Sequence, residues 1–303
     1  MIKSNLITLI FQKFLYKKDI QLYKKKIIYY LLFRLVRNFL AYDLIINIYN
    51  FKVFGSIKKN KTSHFLLKKC EFGDYDELNI IKKISNKNKI LFLDCGCNYG
   101  FYSMYAASLK KDNKILSIEA SKTTSGEFLK NLELNNFENI VFYNRGISDL
   151  DNVNISFNES ENDWESSQTH SNFKIKKIDN IKSITIDSLT SSYNLNDYRT
   201  IIKLDIEGNE MNAIKGGLDF IKKSSPIIII EFSQFIFDHK INIDYLKFFL
   251  RRFDYSIYDT KQKKINIEDV IIKINNLKKR YKTIGNFYLI KNSSVNLNIL
   301  LND

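Results

Sequence analysis

Four times along this chain a short, nearly unbroken apolar run closes on a carboxylate. Ile90–Leu93 leads into Asp94, Lys114–Ile118 into Glu119, Ile201–Leu204 into Asp205, and Pro226–Ile230 into Glu231. Another run, Asn139–Tyr143, lies between the second and third of these. Runs this short, without polar alternation, suit strands buried on both faces of a parallel sheet. Helical spacing separates them: Tyr75 to Ile84, Glu210 to Phe220 with Gly216 and Gly217 interrupting near its end, and Ile243 to Phe253. Strand and helix in alternation predict an α/β fold with helices on both faces of the sheet. Tyr255–Tyr258 and Asn286–Ile290 read as the closing strands. Asn152–Phe157 and Lys182–Ile186 alternate apolar and polar residues as short exposed strands do. Between them lies a polar stretch, Glu159 to His170, with the only tryptophan, Trp164. It reads either as a lid that contacts ligand or as a surface excursion with Trp164 tucked inward.

Acids at strand ends are not something packing demands, and the first is followed by a turn of special composition. Asp94 to Gly100 reads Asp-Cys-Gly-Cys-Asn-Tyr-Gly. Gly96 and Gly100 let the main chain bend sharply and approach a ligand. The spacing is not the dinucleotide fingerprint, because Asn98 holds the middle and no third glycine follows. A carboxylate at this strand end suits a cofactor with positive charge and donor groups, such as the amino-acid end of S-adenosylmethionine. Glu119 stands 25 positions after Asp94, where a carboxylate commonly binds ribose hydroxyls. The alternative for Glu119 is a solvated charge at a helix start. Strand alternation places Lys203, Asp205 and Glu207 on one side. Charges so placed make sense at the carboxyl end of a strand, where open α/β sheets bind ligands.

Together these residues resemble the FkbM-type S-adenosylmethionine-dependent methyltransferases. The matching stretches are Leu93 to Ser103, Ile118 to Ser121, Asn131 with Asn135, Gly146 to Asp149, Thr185 to Leu189, Ile202 to Glu210, Ile214 to Gly217, and Ile229 to Glu231. Cys95 and Cys97 depart from the family's small apolar residues, and Arg145 with Gly146 replaces an apolar-alanine pair. The resemblance implies a Rossmann-like seven-stranded sheet in the order 3-2-1-4-5-7-6 with the last strand antiparallel. It implies S-adenosylmethionine as cofactor, held by Asp94, Gly96, Asn98, Gly100, Ser103, Glu119, Ser148 and Asp149. Methyl transfer to a hydroxyl needs a base; Asp205 is the first candidate, with Lys203 pairing with it, Glu207 assisting, and His239 as the substitute. The same charges could instead form a structural ion-pair cluster. No ligand spacing identifies a metal, and Cys95 and Cys97 do not follow the C-x-x-C pattern of a zinc site.

Charge distribution divides the chain. Residues 1–70 carry 15 Lys or Arg against Asp19 and Asp43, a net +13 within a total of +14. The rest, 71–303, is therefore nearly neutral and reads as the methyltransferase domain. The basic segment is rich in aromatic and aliphatic residues at helical spacing and reads as a helical N-terminal extension. It either lies on an anionic membrane surface, at about 1 kcal/mol per Lys or Arg, or packs as a cap on the domain. No apolar run approaches the ~18 residues of a spanning helix, and no signal-peptide cleavage pattern is present. Nucleic acid is the weaker reading, since no RNA- or DNA-binding motif accompanies the basic cluster. Three cysteines, two of them in the glycine turn, point to a reducing, cytoplasmic setting. The function this supports is O-methylation of a sugar hydroxyl in a surface polysaccharide or glycolipid. The competing classes are a nicotinamide-dependent oxidoreductase and a non-catalytic binding module that keeps a degenerate cofactor fold.

Overall fold

The computed structural model describes residues 43–56, 74–160, 175–237, 240–277 and 283–294. The chain divides into two units. One holds, of the described residues, 43–56, 74–75 and Glu127–Asn136, and the other holds 76–126 together with the described residues from Phe137 onward.

In the first unit, β1 (Asp43–Ile48) and β2 (Phe51–Ser56) form an antiparallel hairpin with Ile48 opposite Phe51. The sequence predicts helix across this stretch, and the structure corrects it. Phe51 and Val53 are buried while Lys52 between them is exposed, a period of two that belongs to a strand. The outer edge of β2 is paired by two asparagines one helical turn apart. The amides of Lys52 and Phe54 donate to Asn135 Oδ1 at 2.8 Å and Asn131 Oδ1 at 2.6 Å, and Asn135 Nδ2 returns a bond to the Lys52 carbonyl at 2.7 Å. Strand amides left open at an edge invite pairing with another chain, and these side chains close off two of them.

The second unit is built on an eight-stranded sheet among the described residues, in the order β5-β4-β3-β9-β10-β13-β11-β12. Its strands are β3 (Ile90–Cys95), β4 (Lys114–Ile118), β5 (Ile140–Tyr143), β9 (Arg199–Leu204), β10 (Ile227–Ser233), β11 (Tyr255–Tyr258), β12 (Lys264–Ile265) and β13 (Thr283–Lys291). The five from β5 to β10 are parallel, and β13 runs antiparallel to both its neighbours. This is the order 3-2-1-4-5-7-6 with the short β12 added at one edge. A smaller sheet joins β6 (Gly146–Ile147), β8 (Ile175–Ile184) and β7 (Asn154–Ser160). The alternating residues place strands here as expected, except that Ile186 opens a short helix, Ile186–Thr190, capped by the Thr185 side chain.

Register sorts the main sheet into two faces. Leu91, Leu93, Leu116, Ile118, Ile202, Leu204, Ile228 and Ile230 share a continuous core with Ile214, Phe220, Leu246, Phe249 and Val270. On the opposite face Ser117 lies beside Asp94, Asp94 beside Lys203, and Lys203 beside Ile229. The helix Phe101–Leu109 packs over β3, β4 and β5. A buried row of polar residues across three parallel strands is costly unless its members satisfy one another or a ligand. It lies at the carboxyl edge of the sheet, where the chain turns back into helices. Gly216 and Gly217 split the expected Glu210–Phe220 helix into Glu210–Lys215 and Leu218–Ser224. A Cβ on Gly216 would overlap the Ser148 carbonyl oxygen, so the break lets that loop lie directly on the helix end.

Candidate active site

Asp94, the next-to-last residue of β3, has 1% of its surface exposed. Its Oδ2 accepts from Ser103 Oγ at 2.6 Å, and Ser103 Oγ accepts in turn from Ser117 Oγ at 2.7 Å. Its Oδ1 is buried with no hydrogen-bond partner. Burial raises this carboxyl above the usual carboxylate range, while the nearby Lys203 ammonium and the Ser103 bond oppose the rise. An orphaned carboxylate oxygen in such a position lacks a donor or a cation.

The turn after Asp94 is held by chain packing as much as by conformational need. Gly96, Asn98 and Gly100 all have positive φ, at 80°, 51° and 80°. The amides of Gly96 and Cys97 donate to the Ile118 carbonyl at 2.9 and 3.0 Å. A Cβ on Gly96 would overlap the Asp205 carbonyl oxygen. The room left by this glycine on its Cβ side is taken by the Asp205 carbonyl, just past the end of β9. Its absent side chain brings the Asp94 and Asp205 strand ends together.

Glu119 is buried and fastened. Its Oε2 accepts from the Asn98 amide at 2.9 Å and its Oε1 from the Ser121 amide at 2.8 Å. Burial pushes its pKa up to about 7 against the pull of those two amides. Asn144 Nδ2 donates to the Glu119 carbonyl at 2.8 Å and to Ser125 Oγ at 2.8 Å, which fixes the chain at this point. Glu119 is thus no solvated helix-start charge. Two amides use part of a carboxylate's roughly four acceptor positions, and the rest remain for hydroxyl donors.

Beyond Gly96 the charges gather. Lys203, 3% exposed, donates from Nζ to Asp205 Oδ2 at 2.6 Å, and its Nζ lies 4.7 Å from the Tyr102 ring centroid. The ring face adds a second stabilising partner for a buried ammonium. Glu207 and Gly208 turn the chain with φ of 51° and 104°. The Glu210 carboxylate secures this turn by accepting from the amides of Ile206 and Gly208, and burial carries its pKa up to about 7. From β10, Glu231 accepts from Thr283 Oγ1 at 3.0 Å. Burial, then the neighbouring Asp205 charge, raises its pKa to about 7. Oxygens of Asp205, Glu207 and Glu231 all lie within 4.8 Å of one another. Such a cluster needs positive charge close by, and Lys203 supplies it from within the chain.

The structure thus brings together Asp94, Asn98, Ser103, Glu119, Lys203, Asp205 and Glu207. At Ser148 and Asp149 the bonds are local: the Ser148 amide bonds the Ile184 carbonyl at 3.2 Å, and its Oγ donates to Asp149 Oδ1 at 3.1 Å. His239 and Trp164 lie outside the described residues. Cys95 and Cys97 are buried, unpaired thiols, and burial pushes both up, so neither offers a thiolate. Sequence reasoning missed Tyr102, Ser117, Asn144 and Glu210 as parts of the site. Ser117 carried a signal, as the hydroxyl residue inside an otherwise apolar run. Tyr102 carried none, because an aromatic at a helix start is ordinary core material.

Comparison with protein families matches residues 94–257 to the methyltransferase FkbM domain. That span runs from the carboxylate of the glycine turn to the third residue of β11. Comparison with curated proteins gives no match. Among solved structures, the FkbM methyltransferase of Methylobacillus flagellatus KT is similar at 17% identity and a TM-score of 0.41. The similarity covers 66% of this chain and 43% of that one, so this chain spans less than half of its length. M. jannaschii TYW2 in complex with AdoMet is similar at 13% identity over 82% of this chain and 87% of that one, with a TM-score of 0.42. A putative caffeoyl-CoA O-methyltransferase from Staphylococcus aureus is similar at 14% identity over 75% of this chain and 89% of that one, with a TM-score of 0.41. Likenesses this remote add nothing to what the family match and the strand order already establish.

Proposed function

This chain belongs to the FkbM methyltransferase family, and from that premise we propose that it transfers a methyl group from S-adenosylmethionine to a hydroxyl. The observation that carries the proposal is the buried, unpartnered Oδ1 of Asp94, at a strand end beside Ser103 and Lys203. That oxygen fits the ammonium of the donor's amino-acid end, and Glu119 fits the ribose hydroxyls. Ser148 and Asp149 we assign to the adenine side of the same site on the strength of the family resemblance.

When bound, the donor supplies an electrophilic methyl on a positively charged sulfur. The protein's part is alignment, charge placement and proton removal. Holding two reactants in line is worth roughly 7–11 kcal/mol of barrier. The Gly96 turn does this by fixing the Asp94 and Asp205 strand ends against one another. Asp205, half-exposed and bonded to buried Lys203, presents its remaining oxygen to an acceptor hydroxyl. Lys203 steadies negative charge that develops on the acceptor oxygen, and Glu207 binds neighbouring hydroxyls. We infer that the acceptor is a sugar of a surface polysaccharide or glycolipid. The support is the basic segment 1–70, with a charge suited to an anionic membrane face where lipid-linked sugars are handled. The enzyme would then be cytoplasmic and peripheral to the membrane. Among the described residues no helix is long and apolar enough to cross one.

Calorimetry with S-adenosylmethionine against NAD tests the donor; uptake of NAD alone defeats the proposal. Transfer of labelled methyl to fractionated glycans and glycolipids tests the acceptor. Asp94→Ala is expected to lose donor binding, and Asp205→Asn to keep binding while losing turnover. Flotation with anionic vesicles, comparing the full chain with one beginning at Glu71, tests the membrane assignment, and equal behaviour of the two overturns it.

A further inference from the structure

Asp205 is poorly suited to receive the acceptor's proton itself. One of its oxygens holds the Lys203 ammonium at 2.6 Å. Neutralising it would strand a lysine that is 3% exposed beside an aromatic ring, and an uncompensated buried charge is costly. A neighbouring carboxylate is the better destination. Glu207 and Glu231 are the two whose oxygens lie within 4.8 Å of Asp205.

The two differ in how they are held. Glu207 sits on the turn itself with a φ of 51°. Glu231 stands within β10, paired to β13 opposite Asn286, with its Oε1 fixed by the Thr283 hydroxyl. Parallel pairing matches Ile229 with Lys203 and Ile230 with Leu204, so the next residue along, Glu231, stands across from Asp205 on the same face. The charged groups around it are Lys203 from β9, Asp205 just beyond that strand, Glu207 from the turn, and Glu210 from the helix that follows. Burial and the Asp205 charge bring its pKa to about 7, with the Thr283 bond and Lys203 opposing. A general base is most effective near the operating pH.

Resting on the methyl-transfer reading above, the geometry points to Glu231 as the proton acceptor, with Lys203 holding Asp205 charged and Asp205 accepting from a neighbouring hydroxyl of the sugar. Ionised carboxylates only accept and a hydroxyl has one proton, so a neighbouring hydroxyl of the sugar bonds Asp205, an oxygen of which lies within 4.8 Å of one of Glu231, and Glu231 is left to the reacting hydroxyl oxygen. That oxygen can donate to Glu231 and receive the methyl on its outer side. As the acceptor oxygen commits a lone pair to the methyl carbon, the carbon–sulfur pair stays with sulfur, whose positive charge disappears. The O–H bond breaks, its electron pair stays on oxygen, and the proton converts Glu231 to the neutral acid. One positive and one negative charge vanish together, so charge balances and no further reagent is required.

The experiment pairs kinetics with infrared spectroscopy on the full chain. Calorimetry with S-adenosylmethionine comes first, and no uptake by the wild type defeats the methyl-transfer reading and this inference together. With binding established, Glu231→Gln is expected to keep donor affinity and lose about 10²–10⁴-fold in kcat on the glycan fraction that the wild type labels most strongly. The wild-type kcat should rise with pH through about 7, and Glu231→Gln should lack that limb. Infrared titration of the apo protein, wild type minus Glu231→Gln, should show one carboxylic acid band vanishing over the same range. Glu231→Asp should restore the limb at reduced rate, and Thr283→Val, which removes a bond favouring the charged form, should move it to higher pH. A Glu231→Gln enzyme with unchanged kcat and limb overturns the role of Glu231 alone. Should that variant fail to fold, an unmoved limb in Thr283→Val overturns it equally.

Discussion

At the scale of single residues the site is defined by what Asp94 lacks. One oxygen is bonded to Ser103, whose own oxygen is bonded to Ser117, and the other is left bare in a buried position. Asp94→Asn keeps the shape and removes the charge. Hydrogen bonds to charged groups are worth about 1.5–3 kcal/mol, so calorimetry should show S-adenosylmethionine binding weakened roughly 10–150-fold. The folded apo protein should be no less stable, because a buried carboxylate with one bare oxygen is itself a burden. A variant both unstable and tight-binding would mean that Asp94 is structural. Glu119 adds a pH signature. Its charged form, the better acceptor of ribose hydroxyls, is populated only as pH rises through about 7. Donor affinity should therefore strengthen across that range, and Glu119→Gln should flatten the dependence.

At the scale of elements, three glycines distinguish packing from conformation. Gly96 has φ of 80° and faces the Asp205 carbonyl, so Gly96→Ala combines left-handed strain with overlap. The sum is on the order of 2–5 kcal/mol, read as a lower denaturation midpoint. Gly216 suffers overlap alone, against Ser148, and Gly216→Ala should cost about 1–3 kcal/mol. Gly126, inside the helix Lys122–Glu133, meets nothing within 4 Å, and Gly126→Ala should stabilise by about 0.5–1 kcal/mol. A destabilised Gly126→Ala would show that this helix face is covered.

The same elements show what the sequence made legible. Strand ends could be read because an acid just behind an apolar run marks where a buried strand nears its exit, and the glycine turn because its composition has few other uses. Glu231 was visible as a strand-end acid, yet its role was not. β10 continues through it to Ser233, and only the pairing with β9 and β13 sets it beside Asp205 and Thr283. Glu210 was hidden for a related reason. Its carboxylate turns back to bond Ile206 and Gly208, a local contact that helical periodicity cannot foretell. The hairpin at 43–56 was misread because the helical spacing of the basic stretch before it was carried into an apolar segment with a single lysine, Lys52.

For the molecule as a whole, the carboxyl edge of the sheet concentrates acids that burial has made reluctant to ionise. Glu119, Glu210 and Glu231 each rise from 4.5 to about 7. In the unfolded chain these groups release their protons near the lower value, and in the folded protein near the higher. Between the two the folded state holds more protons, so raising the pH favours unfolding. The stability these groups contribute is complete below about pH 4.5, declines through the interval, and is gone above about 7. Denaturant midpoints of the apo protein should therefore fall from pH 5 to pH 7 and show no further fall from these acids at pH 8. Saturating S-adenosylmethionine brings positive charge to the same edge and binds the ionised form better. Its stabilisation, which follows RT ln(1 + [L]/Kd), should be larger at pH 8 than at pH 5. Glu210→Gln, which cannot titrate but keeps an acceptor for the turn amides, should lessen the pH 5 to 7 decline without abolishing it. A midpoint that instead rises from pH 5 to 7 would mean that these acids are ionised in the folded apo protein, with partners strong enough to reverse the effect of burial.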